Sequence, residues 1–338
     1  MFAVVFAGLS LAAPLAIGWL FGDPDSAPIE WPREFRPGFL PATVFAIVAY
    51  YFLDALRLHF ALRSQGQRVA LACQAKLLFI NFFVSNITPL ATGGGLAQVW
   101  FLKRRGVPIG ASLAATSFRT LFAVILIFGA APVAIATGSV PGDSFPKAAA
   151  WIALPVSLAV FGCSLAVATQ GRAMAKLAMV CARISERARF IDTVKAKRWG
   201  VRSALSALRF SRRIRSSLSG DRAVWLSLSF ATTAAFLLAL FLIPACLFGL
   251  FGYELDYLDA MGAQCLTTFA MYFAPSPGGA GFAEAAFGGF FHVAAPAATL
   301  GSIALIWRVA TIHLGVGIGA IVLFLETRKT EEVNGSKR

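Results

Sequence analysis

Charge is scarce in this chain. Only 14% of its 338 residues are Asp, Glu, Lys or Arg, against about a quarter in an ordinary soluble domain, and a water-soluble globular enzyme is thereby excluded. Acidic residues are the rarer sign, 16 against 30 Lys and Arg. Cysteine and histidine are few and scattered. Cys73, Cys163, Cys181, Cys246 and Cys265 show no CxxC spacing, and His59, His292 and His313 lie far apart, which suggests neither a disulfide framework nor a metal site. A Walker A sequence, a GxSxG elbow, a dinucleotide fingerprint and an Asp-rich metal cluster are also missing. Nothing therefore points to an ATP motor, a familiar hydrolase or a bound cofactor.

What fills the chain is apolar, 58% of it, with a mean hydropathy of +0.73. Runs of about 20 apolar residues recur from end to end, the length a helix needs to cross a bilayer. The expected fold class is all-α, a polytopic integral membrane protein. Six full spans are expected, over residues 2–21, 39–58, 108–137, 145–169, 223–251 and 298–325. The first lacks the basic leader of a cleaved signal peptide and is read as retained.

Charge sign orders the loops. Between Gly171 and Arg222 there are 14 Lys or Arg and 3 acids, most of the chain's net charge of +14, with apolar segments on both sides. That distribution favours a cytoplasmic loop over nucleic-acid binding. Its apolar stripe of Met174, Leu177, Cys181 and Ile184 at helical spacing suits a helix lying on anionic headgroups. The acidic stretches 22–37 and 254–259 read as external, while Arg57, Arg63 and Arg68, Lys103 to Arg105, and Arg328 with Lys329 read as cytoplasmic. Both termini are then cytoplasmic, in a cytoplasmic (inner) membrane.

Two further apolar segments are interrupted. Residues 69–88 are broken by polar side chains and stopped by Pro89 and Gly93-Gly94-Gly95, and residues 261–274 by Pro275-Ser276-Pro277-Gly278-Gly279. Each is expected as a re-entrant hairpin. The two breaks align without a gap as P-x-x-x-G-x-G-[LF]-A-[QE]-x-x-F, from Pro89 to Phe101 and from Pro275 to Phe287. Each is preceded by one span and followed by another holding one arginine, Arg119 or Arg308. Residues 39–137 and 223–325 are thus read as two repeats, separated by the basic loop at 170–222, and the charge pattern gives them opposite orientation. The plainer alternative is that the Gly/Pro runs only kink helices.

A Gly/Pro break opens a half-helix whose first N–H groups lack partners. An anion there would be favoured by the helix dipole and by close backbone approach, which makes Gly93, Gly94, Gly95, Gly279 and Gly281 candidates to face a phosphate. Arg119 and Arg308 within apolar spans require a partner or a watery cavity. Glu284 is a candidate partner of Arg308, in a pair that simply fixes packing, or else a contact for a cationic headgroup or coupling proton, with Gln98 in the matching place. Lys76 either snorkels to the interface or faces the same cavity. The GxxxG from Gly315 to Gly319 is read as close helix packing.

The run from Gly93 to Gly106 (GGGLAQVWFLKRRG), then Arg119, then Pro275 to Glu284 (PSPGGAGFAE) and Arg308, resembles the lysylphosphatidylglycerol synthase transmembrane-region family, also called the flippase-like or UPF0104 family. The resemblance covers roughly residues 39–325. It implies an inner-membrane protein whose bifunctional relatives move aminoacylated phosphatidylglycerol between leaflets and carry a separate aminoacyltransferase domain. No such domain follows here, so synthesis of the lysyl lipid is not expected.

The reading that joins these observations is a lipid translocase rather than an enzyme. Its expected partners are the membrane and an anionic or aminoacylated phospholipid or a polyprenyl-linked lipid, with a homodimer or a separate synthase as compatible protein partners. The alternatives are an intramembrane lipid-modifying enzyme using Glu284 as acid or base, and an accessory subunit of a lipid or glycan pathway docked through the basic loop.

Overall fold

A computed structural model describes residues 31, 34–88, 92–139, 154–160, 162, 170–187 and 193–335, together with isolated positions between 6 and 21. The described residues are helical and contain no strand. In chain order the helices are α1 (Leu40–Ser64), α2 (Leu71–Ile87), α3 (Thr92–Arg104), α4 (Ile109–Thr137), α5 (Gly171–Arg187), α6 (Thr193–Ser217), α7 (Asp221–Leu250), α8 (Tyr257–Met271), α9 (Phe282–Phe291), α10 (Ala297–Arg308) and α11 (Leu314–Gly335). Four helical segments are long and apolar enough to cross a membrane: Pro37–Ser64, Ile109–Thr137, Asp221–Leu250 and Ala297–Arg328. They match four of the six expected full spans. The expected spans at 2–21 and 145–169 lie largely outside the described residues.

Local chemistry sets the ends of these elements. The Asp256 carboxylate caps α8 by accepting from the N–H groups of Leu258 and Asp259, satisfying donors that have no intrahelical partner. Helix α4 stops at Gly138, which takes the left-handed conformation while Ser139 N–H bonds back to Ala134 O, a glycine C-terminal cap. Between α10 and α11 lies one π turn, Val309–His313. Tyr51 Oη donates to Ala310 O at 2.8 Å and Tyr50 Oη to Thr311 O at 3.3 Å, so the irregular carbonyls bind α1 to the last span.

The order long helix, short helix, break, short helix, long helix occurs twice, as α1 to α4 and as α7 to α11. Packing between the two sets is reciprocal. Helix α1 lies along α7, α2 lies on α11, and α8 lies on α4. Each interrupted pair therefore rests on the closing helix of the other set. An aromatic stack of Phe248, Phe287, Phe291 and Trp307 joins α7, α9 and α10, with Phe287 and Phe291 ring centroids 4.5 Å apart. The outward face of α1 shows the opposite character, with Phe45 74% exposed, as a lipid-facing surface would.

The basic segment is a pair of helices packed on one another, α5 and α6, and not an open loop. Ile184 is exposed, as a stripe on headgroups requires, whereas the side chains of Met174 and Leu177 lie outside the described residues. The end of α6 returns to the bundle. Ile214 is buried with Phe118, Phe122 and Leu226, and the Gln65 amide donates to Ser217 Oγ at 2.7 Å.

Helix α11 approaches α2 closely because it has no side chain at the contact. A Cβ on Gly319 would stand 2.0 Å from Phe79 O, which accounts for the GxxxG as a packing seam. One on Gly317 would meet nothing. Gly319→Ala is therefore expected to destabilise the protein by about 1–3 kcal/mol through overpacking, with Gly317→Ala neutral, as read by thermal unfolding in detergent.

Candidate functional site

Asp54 and Arg57 stand three residues apart on α1 and so share a helix face. Both are buried, at 1% and 6% exposure, in an otherwise apolar helix. Arg119 reaches them from α4. Its Nη2 lies 2.7 Å from each Asp54 carboxylate oxygen and its Nε 3.2 Å from Oδ1, while Arg57 Nε donates to the same Oδ1 at 2.5 Å. One carboxylate thus serves two guanidinium groups and leaves one positive charge in surplus among the described residues. Arg57 Nη1 is buried with no hydrogen-bond partner among the described residues, although the guanidinium carbon sits 3.9 Å from the Phe236 ring centre, where the ring face attracts a cation.

That charge borders a cavity of about 1370 Å³. Arg57 and Arg119 line it, together with Asn81, Ser85 and Asn86 of α2, Gly95 and Gln98 of α3, and Ser276, Gly278 and Gly279 of the second break. Phe210 and Ile214 of α6 add an apolar side. At its edge, Leu96, Trp100, Ile109 and Leu113 line the cavity and are also exposed, so an apolar border between α3 and α4 connects it with the protein's outer face. Gln98 Nε2 donates to Asn81 Oδ1 at 2.5 Å, and Gln98 Oε1 is buried without a partner among the described residues.

The second charged pair is sealed. Arg308 and Glu284 each have 0% exposure. Arg308 Nε donates to Glu284 Oε1 at 2.5 Å and Arg308 Nη2 to Gly278 O at 3.2 Å, while Glu284 Oε2 accepts from Gly281 N–H at 2.7 Å. The pair closes the turn through Gly278, Gly279 and Gly281, all at positive φ, where only glycine sits without strain. It holds Gly278 and Gly279 in the cavity wall from behind. Among the described residues no three His, Cys, Asp or Glu side chains come together as metal ligands.

The family profile of the lysylphosphatidylglycerol synthase TM region matches residues 3–319, nearly the whole chain. The chain belongs to the lysylphosphatidylglycerol synthase TM-region family. It is also similar to a UPF0104 membrane protein of Archaeoglobus fulgidus, 25% identical over 276 residues that cover 81% of this chain and 82% of the relative.

Within this family member the residues singled out from the sequence take three positions. Gly95, Gln98, Arg119 and Gly279 line the cavity. Gly93, Gly94, Gly281, Glu284 and Arg308 stand behind its wall: Gly93 N–H is already held by Thr88 Oγ1, and a Cβ on Gly94 would stand 1.8 Å from Ser85 Oγ. Lys76 lies apart. It pairs with Glu326 at 2.9 Å, and Arg105 pairs with the other oxygen of that carboxylate, so one acid ties α2 and the end of α3 to α11. Sequence reasoning missed Asp54 and took Arg57 for a cytoplasmic flank, whereas α1 continues to Ser64 and keeps Arg57 inside. A lone acid in an apolar run was the available signal, since such a charge requires a cation nearby.

Removing a shared anion should harm more than removing one of its two cations. Asp54→Asn leaves both guanidiniums unpaired and is expected to cost about 3–5 kcal/mol, while Arg57→Gln retains the Asp54–Arg119 pair and should cost clearly less; thermal unfolding of the two variants checks the order. For the sealed pair, Glu284→Ala should be as damaging as Asp54→Asn, and the double variant Glu284→Leu with Arg308→Met should recover most of that loss.

Proposed function

We propose that this protein is a lipid translocase of the cytoplasmic membrane, in which the cavity receives a phosphate-bearing headgroup while the acyl chains stay in the bilayer. The observation that carries the reading is the surplus guanidinium at the cavity wall. A buried cation without a full counter-charge is costly in an apolar interior, and a phosphate oxygen would supply both the charge and the hydrogen bond that Arg57 Nη1 lacks among the described residues. The apolar border formed by Leu96, Ile109 and Leu113 suits the passage of a lipid's tail beside its head. The membership in a membrane family named for a phospholipid synthase agrees with a lipid as cargo.

The repeated element order and reciprocal packing support two inverted repeats around a shared site, the plan on which many transporters place substrate at the midplane. The ion pairs of Lys76 and Arg105 with one carboxylate support the return of both legs of the first hairpin to one side, the cytoplasmic side by their charge. An enzyme using Glu284 as acid or base is disfavoured, because both of its oxygens are engaged and the residue is sealed from the cavity.

The test is leaflet exchange in proteoliposomes. Fluorescent phosphatidylglycerol should move faster with the protein than in protein-free vesicles, and Arg57→Gln should slow it by about tenfold or more, the loss expected for a charge-assisted hydrogen bond. Exchange equal to that of empty vesicles across a broad lipid panel would remove the translocase reading.

A further inference from the structure

We propose that the cavity selects a phosphodiester lipid carrying a neutral, hydroxyl-bearing head and rejects a cationic, aminoacylated one. The inference rests on the cavity being a headgroup site, as argued above, and concerns which headgroup enters. It departs from the lysyl lipid in the family's name.

Two buried groups set the preference. Arg57 lines the cavity, its buried Nη1 has no hydrogen-bond partner among the described residues, and it belongs to a cluster with one positive charge in surplus. Gln98, 5% exposed, also lines the cavity, and its buried carbonyl oxygen has no donor among the described residues, its amide nitrogen being committed to Asn81. A head that satisfies both has an anionic oxygen for Arg57 and an O–H for Gln98 Oε1. Asn81 and Ser85 beside Gln98 extend a neutral amide and hydroxyl surface suited to a glycerol or sugar.

An ammonium fares worse. The charged side chains lining the cavity, among the described residues, are Arg57 and Arg119, and Asp54 behind them has both oxygens engaged by arginine. A cationic head would face surplus positive charge in an apolar surround with no carboxylate to receive it, and like charges brought together at a site are a strong basis for rejection. The second half of the chain shows what a carboxylate at this register does: Glu284 stands where Gln98 stands in the aligned motif, and it holds a guanidinium. Gln98→Glu would place such a carboxylate at the cavity.

Binding to the purified full-length protein in detergent, followed by thermal stabilisation, decides the matter without requiring transport. The probes are dioctanoyl phosphatidylglycerol, its lysyl ester, dioctanoyl phosphatidylethanolamine and water-soluble glycerol phosphate. Phosphatidylglycerol should bind at least about tenfold more tightly than the lysyl ester, with phosphatidylethanolamine also weaker, and Gln98→Glu should narrow or reverse that ratio. Equal or tighter binding of the lysyl ester, an unchanged ratio in Gln98→Glu, or no stabilisation by any lipid would overturn the proposal. Glycerol phosphate binding as tightly as phosphatidylglycerol would assign the site to a soluble phosphate ester and overturn the lipid. Because binding and leaflet exchange are read separately, selective binding without exchange would count against the translocase alone.

Discussion

Two guanidinium groups on different helices, Arg57 and Arg119, converge on the buried carboxylate of Asp54. That convergence ties α1 to α4 and dictates the character of the space beside them. A second carboxylate would have produced a neutral, closed ion pair of the kind formed by Glu284 and Arg308. A single one leaves the wall with a surplus positive charge among the described residues. Apolar packing brings the helices together, and the unequal count of charges sets the sign of the cavity wall.

The two halves of the chain solve the same problem in different ways. Arg119 and Arg308 follow their respective breaks at similar distance, and each needs an anion. In the second half the anion belongs to the broken helix itself, as Glu284, and the pair is spent on holding the turn at Gly278 to Gly281. In the first half the matching position is the neutral Gln98, so Arg119 must draw its counter-charge from α1. Arg119 is therefore clamped across helices to Asp54 and also lines the cavity. Both charged side chains of the wall come from the first half, while the second contributes Thr268, Tyr272 and Ser276.

A backbone break within hydrocarbon must satisfy the groups it frees. Here the chain does much of this locally, through Thr88 Oγ1 on Gly93 N–H and Glu284 Oε2 on Gly281 N–H. The breaks therefore act chiefly by shaping, bringing Gly95, Gly278 and Gly279 to the wall and allowing α3 to press against Ser85 of α2. The polar side chains of the wall come from α1 and α4, as Arg57 and Arg119, and from the two legs of the first hairpin, as Asn81, Ser85 and Gln98.

Much of the architecture was legible from local pattern. Apolar run length, the sign of flanking charge and the repeated Pro/Gly spacing marked the long helices, the two interruptions and the basic segment, because each of these depends on neighbours in the chain. The same reasoning brought Arg119 and Gln98 forward, and it identified Glu284 with Arg308 as one possible pair. It did not reveal that Asp54 pairs with a residue 65 positions away, that Arg57 lies inside the bundle, or that α6 closes one side of the cavity. Those facts depend on how helices distant in sequence cross. The sequence by itself determined an all-helical membrane protein, since burial of apolar residues in lipid is a property of each segment. Which charges meet, which are sealed and which face the cavity was decided only by tertiary packing, because in a low-dielectric interior the outcome for an ionised group is set by its nearest partner in space.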